Sequence, residues 1–584
     1  MDAVRGQDDR RISCADDAAW ARCLRPVRRW CAWVAGGRAI PAPWLRDGRG
    51  RSLMPVTLVN GTLYDGSGAP GRRGNLIIDG DRIAALGDVA PLGERIDVSG
   101  QAVSPGFIDT HSHCDLVCMS DRQLAPKLRQ GITTDLLGQD GLSEAPIKAE
   151  DVDRWRTHLS GLNDDPSLDW TWRDFGSYFA RISGAALNMA AMVGHGTVRL
   201  HVMGMDNRPP TPAELTAMQA LVDDAMTSGA CGFSTGLIYS PCVYSDTEEL
   251  IALGHVARRN DSFMVYHMRY EGARVLDGMA EVFRIARESG AACHISHFKA
   301  RGKQAWGKSS AMVEAVDAAR AAGLDITADQ YPYTAGSTML GALLPPWCHA
   351  RGIDGLNAYL RDATVEQRIR SEIENGRSDW ESSIAASSWD SIMISGVRSE
   401  ANRWTIGKRI PEIARGWGLD NYQTMVRLLL EENHAVSMIL FMMDEADVRR
   451  LLVQPWLMHC TDGLMGGEPH PRTYGTYPRI LGHYVRDEGL MSLPEAIRKM
   501  TSLPAWRLGL RDRGVLREGA FADITVFNPD TVIDRSTYSH PRAFPEGIEH
   551  VFVNGVAAVR NGRETGNLAG RALRREIGAP GSAR

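Results

Sequence analysis

Eight short apolar runs of strand length constrain this 584-residue chain more than any other feature: AVSPGFID (102–109), TTDLL (133–137), MAAMV (189–193), ACGFS (230–234), FMVYH (263–267), ACHISH (292–297), LDITAD (324–329) and WLMHC (456–460). Many are separated by roughly 30 residues with helical apolar spacing, as in Asp246–Arg259 and Gly278–Ser289. Strand and helix alternating at that step predict repeated βαβ units and a parallel sheet. Eight such units fit a (β/α)8 TIM barrel, in which about 250 residues or more form one domain.

The residues that follow these runs carry the chemistry. In order they are His111 and His113, Asp140, His195, Ser234, His267, His297, Asp329 and Asp462. In a parallel barrel all C-terminal strand ends open onto one face, so positions far apart in sequence converge there. Polar strand ends suit any barrel mouth, but a concentration of imidazoles drawn from only 16 histidines points to a metal. His111 and His113 alternate by two and therefore face the same side. Together with His267 and His297 they make a nitrogen-rich site to which Asp140 adds a carboxylate. Zinc there would lower the pKa of a bound water to about 7 and polarise a carbonyl. Asp462 is placed to take the proton and pass it to a leaving amine. Each residue alone has a plainer reading: a chance His-x-His pair, a satisfied core histidine at 297, a turn-forming aspartate before Gly463. Their joint order along eight strands favours metal-assisted hydrolysis of an amide-like bond.

Charge and composition narrow the alternatives. Lys and Arg number 66 against 71 Asp and Glu, a net charge of −5, which gives no global basic field for nucleic acid. No apolar run is long enough to span a membrane. Ten scattered cysteines predict a reducing, cytoplasmic compartment. Residues 1–53 hold 11 Arg, no Lys and four Trp, and read as an upstream extension with Met54 as a plausible start, or as a partner-binding arm. Strand-like VTLVNGTLYDG and NLIIDGDRIAALG, with turns at Asn60-Gly61 and Asp79-Gly80, find a counterpart in ADITVFNPD and HVFVNGVAAVRNG near the other end. These predict a small β-sandwich domain built from residues 54–103 and 511–568 around a barrel at 104–510, the alternative being two separate hairpins. The long gap before the eighth run requires an insertion at about 340–440, containing SSIAASSWDSIMISGV and the helical TMVRLLLEENH, in a position to act as a lid. The tail at 569–584 is expected to be loosely ordered.

Several strings then make a resemblance specific. PGFIDTHSHCD resembles the strand-one signature of the amidohydrolase superfamily, and HCTDGL its strand-eight aspartate. GFSTGLIYSP, YHMRYEG, HISHFKARG, DQYPYTAGST and PHPRTYGTYPRILG, with the closing SLPAWRLGLRDRGVLREGAFADITVF, are similar to the N-acyl-D-amino-acid deacylase (D-aminoacylase) family. The resemblance runs from about Met54 to Gly555. It implies a zinc-dependent barrel that hydrolyses N-acyl-D-amino acids to a carboxylate and a free D-amino acid. It also implies His267 and His297 as zinc ligands, His111 and His113 near the metal or at a weaker second site, and Asp462 as general acid and base. Lys299, Tyr331, Ser337 and Arg472 match positions associated with the substrate α-carboxylate, and an arginine can grip a carboxylate bidentately. His195 and Tyr239 are candidates to donate a hydrogen bond to the acyl oxygen. One departure stands out: the turn Gly138-Gln139-Asp140-Gly141 has Asp140 where the family carries a cysteine ligand. Carboxylate oxygen is a harder ligand than thiolate, which leaves metal identity and number open. The alternatives are a cyclic-amide hydrolase or deaminase, disfavoured because no lysine ends a central strand, and a non-catalytic protein that keeps the fold.

Overall fold

The computed structural model describes residues 54–163 and 167–576, so the expectations for residues 1–53 lie outside the described residues. Five strands open the chain: β1 (Val56–Leu63), β2 (Arg72–Asp79), β3 (Arg82–Gly87), β4 (Glu94–Asp97) and β5 (Ala102–Pro105). β1 pairs with antiparallel β2 on one edge, while parallel β4 and β5 share the other. The branch falls near Asn60, which has a φ of 67° and lies where the β1–β2 register shifts.

The first apolar run, expected as one strand, is two. Gly106 separates β5 from β6 (Phe107–Asp109), and a Cβ there would lie 2.2 Å from Thr133 Oγ1. Only glycine lets the chain leave one sheet and enter the next so close to its neighbour. β6 begins a parallel set with β7 (Ile132–Leu137), β8 (Asn188–Ala191), β9 (Val193–Gly194), β10 (Phe233–Gly236), β11 (Phe263–His267), β12 (Ala292–Ile295) and β13 (Ile326–Gln330). Amphipathic helices link them. Val275–Ser289, for example, buries Val275, Met279, Val282, Ile285 and Ala286 along one stripe, as a 3.6-residue period requires.

Between β13 and the last parallel strand the chain inserts β14 (Ala335–Met339), β15 (Ile392–Gly396) and β16 (Ser437–Phe441), an antiparallel sheet in the order β14-β16-β15. Helices including Asn421–Glu431 pack around it, and Leu356, Ile369, Ile392, Ile413 and Leu428 belong to a second apolar core that also takes in Tyr331, Val448, Cys460 and Tyr484. β17 (Leu457–His459) then pairs with β13. The parallel strands form two hydrogen-bonded groups, β6-β7-β8 and β9-β10-β11-β12-β13-β17. Met192 alone separates β8 from β9, and beyond β6 and β17 a parallel bridge joins Ser112 to Gly463.

The chain returns through β18 (Ile524–Phe527), β19 (Ile548–Val553), β20 (Val556–Arg560) and β21 (Arg563–Glu564). β18 pairs with β5, so both terminal regions share one branched nine-stranded sheet. Leu58, Ile78, Ile83, Ile96, Ile524 and Phe552 form its apolar core. The start of the tail is also tied down: Gly570 donates its N–H to Ala185 and Leu573 to Met189, each at 2.8 Å.

Behind β17 and β6 lies the helix Leu493–Met500. Its Lys499 is fully buried, and Nζ donates to the carbonyls of Leu452 and Gln454, closing the helix Glu445–Leu452 just before β17. Burial pushes this amine down to about 7. The folded state therefore favours the neutral amine, whereas the unfolded chain holds its proton up to about pH 10. Relative to Lys499→Met, the wild type should gain stability as pH rises from about 7 to about 10. Urea unfolding of both proteins at the two ends of that window checks this, and an unchanged difference contradicts it.

Candidate functional site

Strand ends deliver the candidate residues to one place. His111 and His113 follow β6, Asp140 lies in the turn after β7, His267 ends β11, His297 follows β12 and Asp462 follows β17. Asp140 (φ 58°), His297 (φ 37°) and Asp462 (φ 47°) all adopt the left-handed region, which costs energy for residues with a Cβ and is held by the surrounding structure. The Asp140 turn is fixed by Ser234, whose Oγ donates to Gly138 O at 2.5 Å and accepts from Gly141 N at 3.0 Å.

Asp140 stands among four imidazoles. Its Oδ1 is 3.8 Å from His111 Nε2, 3.5 Å from His267 Nδ1 and 3.6 Å from His297 Nε2, and its Oδ2 is 3.7 Å from His113 Nε2. Asp462 Oδ1 is 3.5 Å from His111 Nε2 and 3.4 Å from His113 Nε2. These gaps are long for hydrogen bonds. Two ligands each about 2.1 Å from a tetrahedral cation stand roughly 3.4 Å apart, so the spacing fits atoms that share one. Both ring nitrogens of His111 and of His267, and Asp140 Oδ1, are buried without a hydrogen-bond partner. Three groups have ligand atoms close enough for one ion: His111, His113 and Asp462; His111, Asp140 and His297; His267, Glu271 and His297. The donor set therefore fits a divalent metal.

The electrostatics agree. Burial drives His111 down to about 3, keeping it neutral and able to offer a lone pair. Burial also opposes the charge on Asp462, but the Arg472 guanidinium outweighs it and holds this carboxyl far below the usual range. For Asp140 the opposing burial is outweighed by the surrounding imidazoles, His267 and His297 among them, again with a strongly lowered value.

An outer layer orients these groups. His113 Nδ1 pairs with Asn163 Oδ1 at 3.2 Å, turning Nε2 toward the two aspartates. Asp329 Oδ1 accepts from His297 N at 2.5 Å, and Oδ2 meets His294 Nε2 at 2.9 Å and Thr110 Oγ1 at 2.8 Å. Beneath them Lys127, fully buried, donates from Nζ to Asp109 Oδ2 at 2.6 Å, Ser112 Oγ at 2.9 Å, Thr461 Oγ1 at 2.9 Å and Asp135 Oδ1 at 3.4 Å. Ser112 sits between the paired histidines and Thr461 precedes Asp462.

A cavity opens over this floor. Asp140, His267, His297 and Asp462 line it together with Tyr239, Lys299, Tyr331 and Ser337. Strand β14 of the insertion contributes Gly336, Ser337 and Thr338. Lys299 Nζ lies 2.6 Å from both Glu271 Oε1 and His297 Nδ1. Arg472 is fully buried beside the cavity, with Nη1 2.9 Å from Asp462 Oδ2, Nη2 donating to Ser337 O at 3.1 Å, and its guanidinium 4.4 Å from the Tyr331 ring. His195 is a correction: it opens the helix His195–Met203, and its ring is engaged by Thr235 Oγ1 at 2.9 Å and Glu249 Oε1 at 2.7 Å, so it is not a donor into the cavity. Sequence reasoning missed Glu271, four residues after His267, and Lys127, which reads as an ordinary loop lysine in APKLRQG.

Residues 94–374 and 417–559 match the amidohydrolase family. The chain is similar to D-aminoacylase of Alcaligenes xylosoxydans xylosoxydans, with 37% identity over 533 residues, 89% of this chain and 97% of that one. It is similar also to N-acyl-D-glutamate deacylase of the same organism, with 36% identity over 91% of this chain and 98% of the relative. Among solved structures it resembles N-acyl-D-glutamate deacylase from Bordetella bronchiseptica, complexed with zinc and a phosphonate that mimics the tetrahedral intermediate. That likeness has a TM-score of 0.76 and 34% identity, covering 89% of this chain and 99% of the other.

Removing Lys127 would strand two buried carboxylates. Burial already pushes Asp109 up to about 6 against the opposing pull of Lys127. Lys127→Met should cost about 3–5 kcal/mol of stability, the usual result of breaking a buried charge cluster from one side. Guanidinium denaturation measures it, and a loss below about 1 kcal/mol would contradict the assigned role.

Proposed function

Because this chain belongs to the amidohydrolase family, in its N-acyl-D-amino-acid deacylase branch, we propose that it hydrolyses the amide bond of N-acyl-D-amino acids, giving a carboxylate and a free D-amino acid. The observation that carries this reading is the set of unpaired imidazole nitrogens around Asp140 and Asp462 on the cavity floor. Zinc is the proposed metal, with His111, His113, Asp140, His267 and His297 as its holders and Asp462 beside it. When bound, such an ion polarises the acyl carbonyl and makes a water acidic. The parallel strands are taken as one (β/α)8 barrel, supported by the Ser112–Gly463 bridge and the near continuity of β8 and β9.

The chain's own residues then have defined tasks. Lys299, Tyr331 and Ser337 receive the α-carboxylate, for which Lys299 must exchange its contact with Glu271. Arg472 stands next to this group, holding Tyr331 and Asp462 in place and completing the grip on the carboxylate. Tyr239, whose hydroxyl meets Thr338 Oγ1 at 2.9 Å, donates to the acyl oxygen; burial holds its phenol well above the usual value, so it keeps its proton. Asp462 Oδ1 accepts a proton from the attacking water and returns it to the departing nitrogen. Residues of the insertion narrow the mouth and exclude bulk water. A cytoplasmic setting is proposed with this, supported by seven described cysteines that are all buried and unpaired. Among the described residues no helix is long and apolar enough to cross a membrane.

A panel of N-acetyl-D- and N-acetyl-L-amino acids, assayed with metal content on the same sample, should show turnover of D forms only and zinc bound in stoichiometric amount. Chelation should abolish turnover and zinc should restore it. Asp462→Asn should lower kcat by about 10²–10⁴-fold while the protein stays folded by circular dichroism. Activity unchanged by chelation, or confined to L forms, would remove this reading.

A further inference from the structure

We propose that Arg301 forms a second anion subsite in this cavity, so that the preferred substrates carry a second carboxylate on the amino-acid side chain or on the acyl group. The inference rests on the deacylase reading above and narrows it to dicarboxylates.

Arg301 follows Lys299 by two positions, lines the cavity and is only 7% exposed. Its guanidinium has weak neutral partners: Nη1 donates to Ser383 Oγ at 3.2 Å, Nη2 to Glu381 O at 3.5 Å, and Nε has none. Among the described residues no carboxylate oxygen comes within ion-pair distance of it. The other cations of the site are answered, Lys299 by Glu271 at 2.6 Å and Arg472 by Asp462 at 2.9 Å. Glu381 shares the cavity wall, yet its carboxylate is committed to three backbone N–H groups, of Glu271 at 3.1 Å, Gly272 at 2.9 Å and Arg274 at 2.8 Å.

A guanidinium withdrawn from water without a counter-charge is unfavourable, and an arriving carboxylate relieves that cost. Its planar fork suits two parallel bonds to such a group. Met438, Leu440 and Met442, which line the same cavity, offer the apolar surface that a methylene linker needs. The partners of Arg301, Ser383 and Glu381, are distinct from Tyr331 and Ser337, which serve the α-carboxylate in the reading above.

The test compares matched pairs on the zinc-loaded enzyme: N-acetyl-D-glutamate with N-acetyl-D-glutamine, and N-succinyl-D-leucine with N-butanoyl-D-leucine. The charged member of at least one pair should be favoured in kcat/KM by about 100-fold, the pair identifying where the second carboxylate sits. Arg301→Met should collapse that ratio toward one, and Arg301→Lys should keep part of it. Neutral members turned over as well as charged ones by the wild type would overturn the subsite and leave the deacylase reading intact. A ratio unchanged in Arg301→Met would overturn it too, showing a purely structural or α-carboxylate role. The wild-type pairs decide the matter even where a variant fails to fold. No turnover of any N-acyl-D-amino acid would overturn both readings together.

Discussion

One buried ammonium underlies the arrangement of the site. Lys127 Nζ joins Asp109 at the end of β6, Asp135 in β7, Ser112 between the paired histidines and Thr461 beside Asp462. Thr461 N also donates to Asp109 Oδ1 at 2.8 Å. The first and last parallel strands are thus pinned together immediately beside His111, His113 and Asp462. Charges this deep are stable only when their partners are complete, so the cluster sets the floor geometry with little freedom.

On that floor Asp140 is the hub. A carboxylate offers two oxygens where a thiolate offers one sulfur, and here the oxygens divide their neighbours, Oδ1 facing His111, His267 and His297 while Oδ2 faces His113. The pattern suits a harder ligand reaching more than one position. The left-handed backbone at Asp140, His297 and Asp462 shows that the fold accepts local strain to aim these groups inward.

Much of this was legible in the sequence because strand ends recur on a regular step. FMVYH coincides with β11, and TTDLL falls within β7. The histidines and Asp462 were visible because each stands where such a run stops. What the period cannot carry was lost. AVSPGFID spans two sheets because Gly106 lets the chain cross, a feature of tertiary packing. His195 also ends an apolar run, but the following residues start a helix at once and turn its ring toward Thr235 and Glu249. Lys127, Glu271 and Arg301 leave no periodic mark, since a lone buried charge is defined by partners remote in sequence. The tail's polar, glycine-rich texture gave no hint that Gly570 and Leu573 would hydrogen-bond beside β8.

Residues from five separate strand ends converge here, and we place one metal centre among them with Asp140 at its middle. Anomalous diffraction at the zinc edge, on crystals grown with zinc, tests it most directly. The account predicts peaks within coordination distance of Asp140 carboxylate oxygen and of nitrogens from the His111, His113, His267 and His297 set, at about 2.0–2.2 Å. Peaks only at surface histidines, or an Asp140 side chain turned away from a metal that the histidines bind, would contradict it.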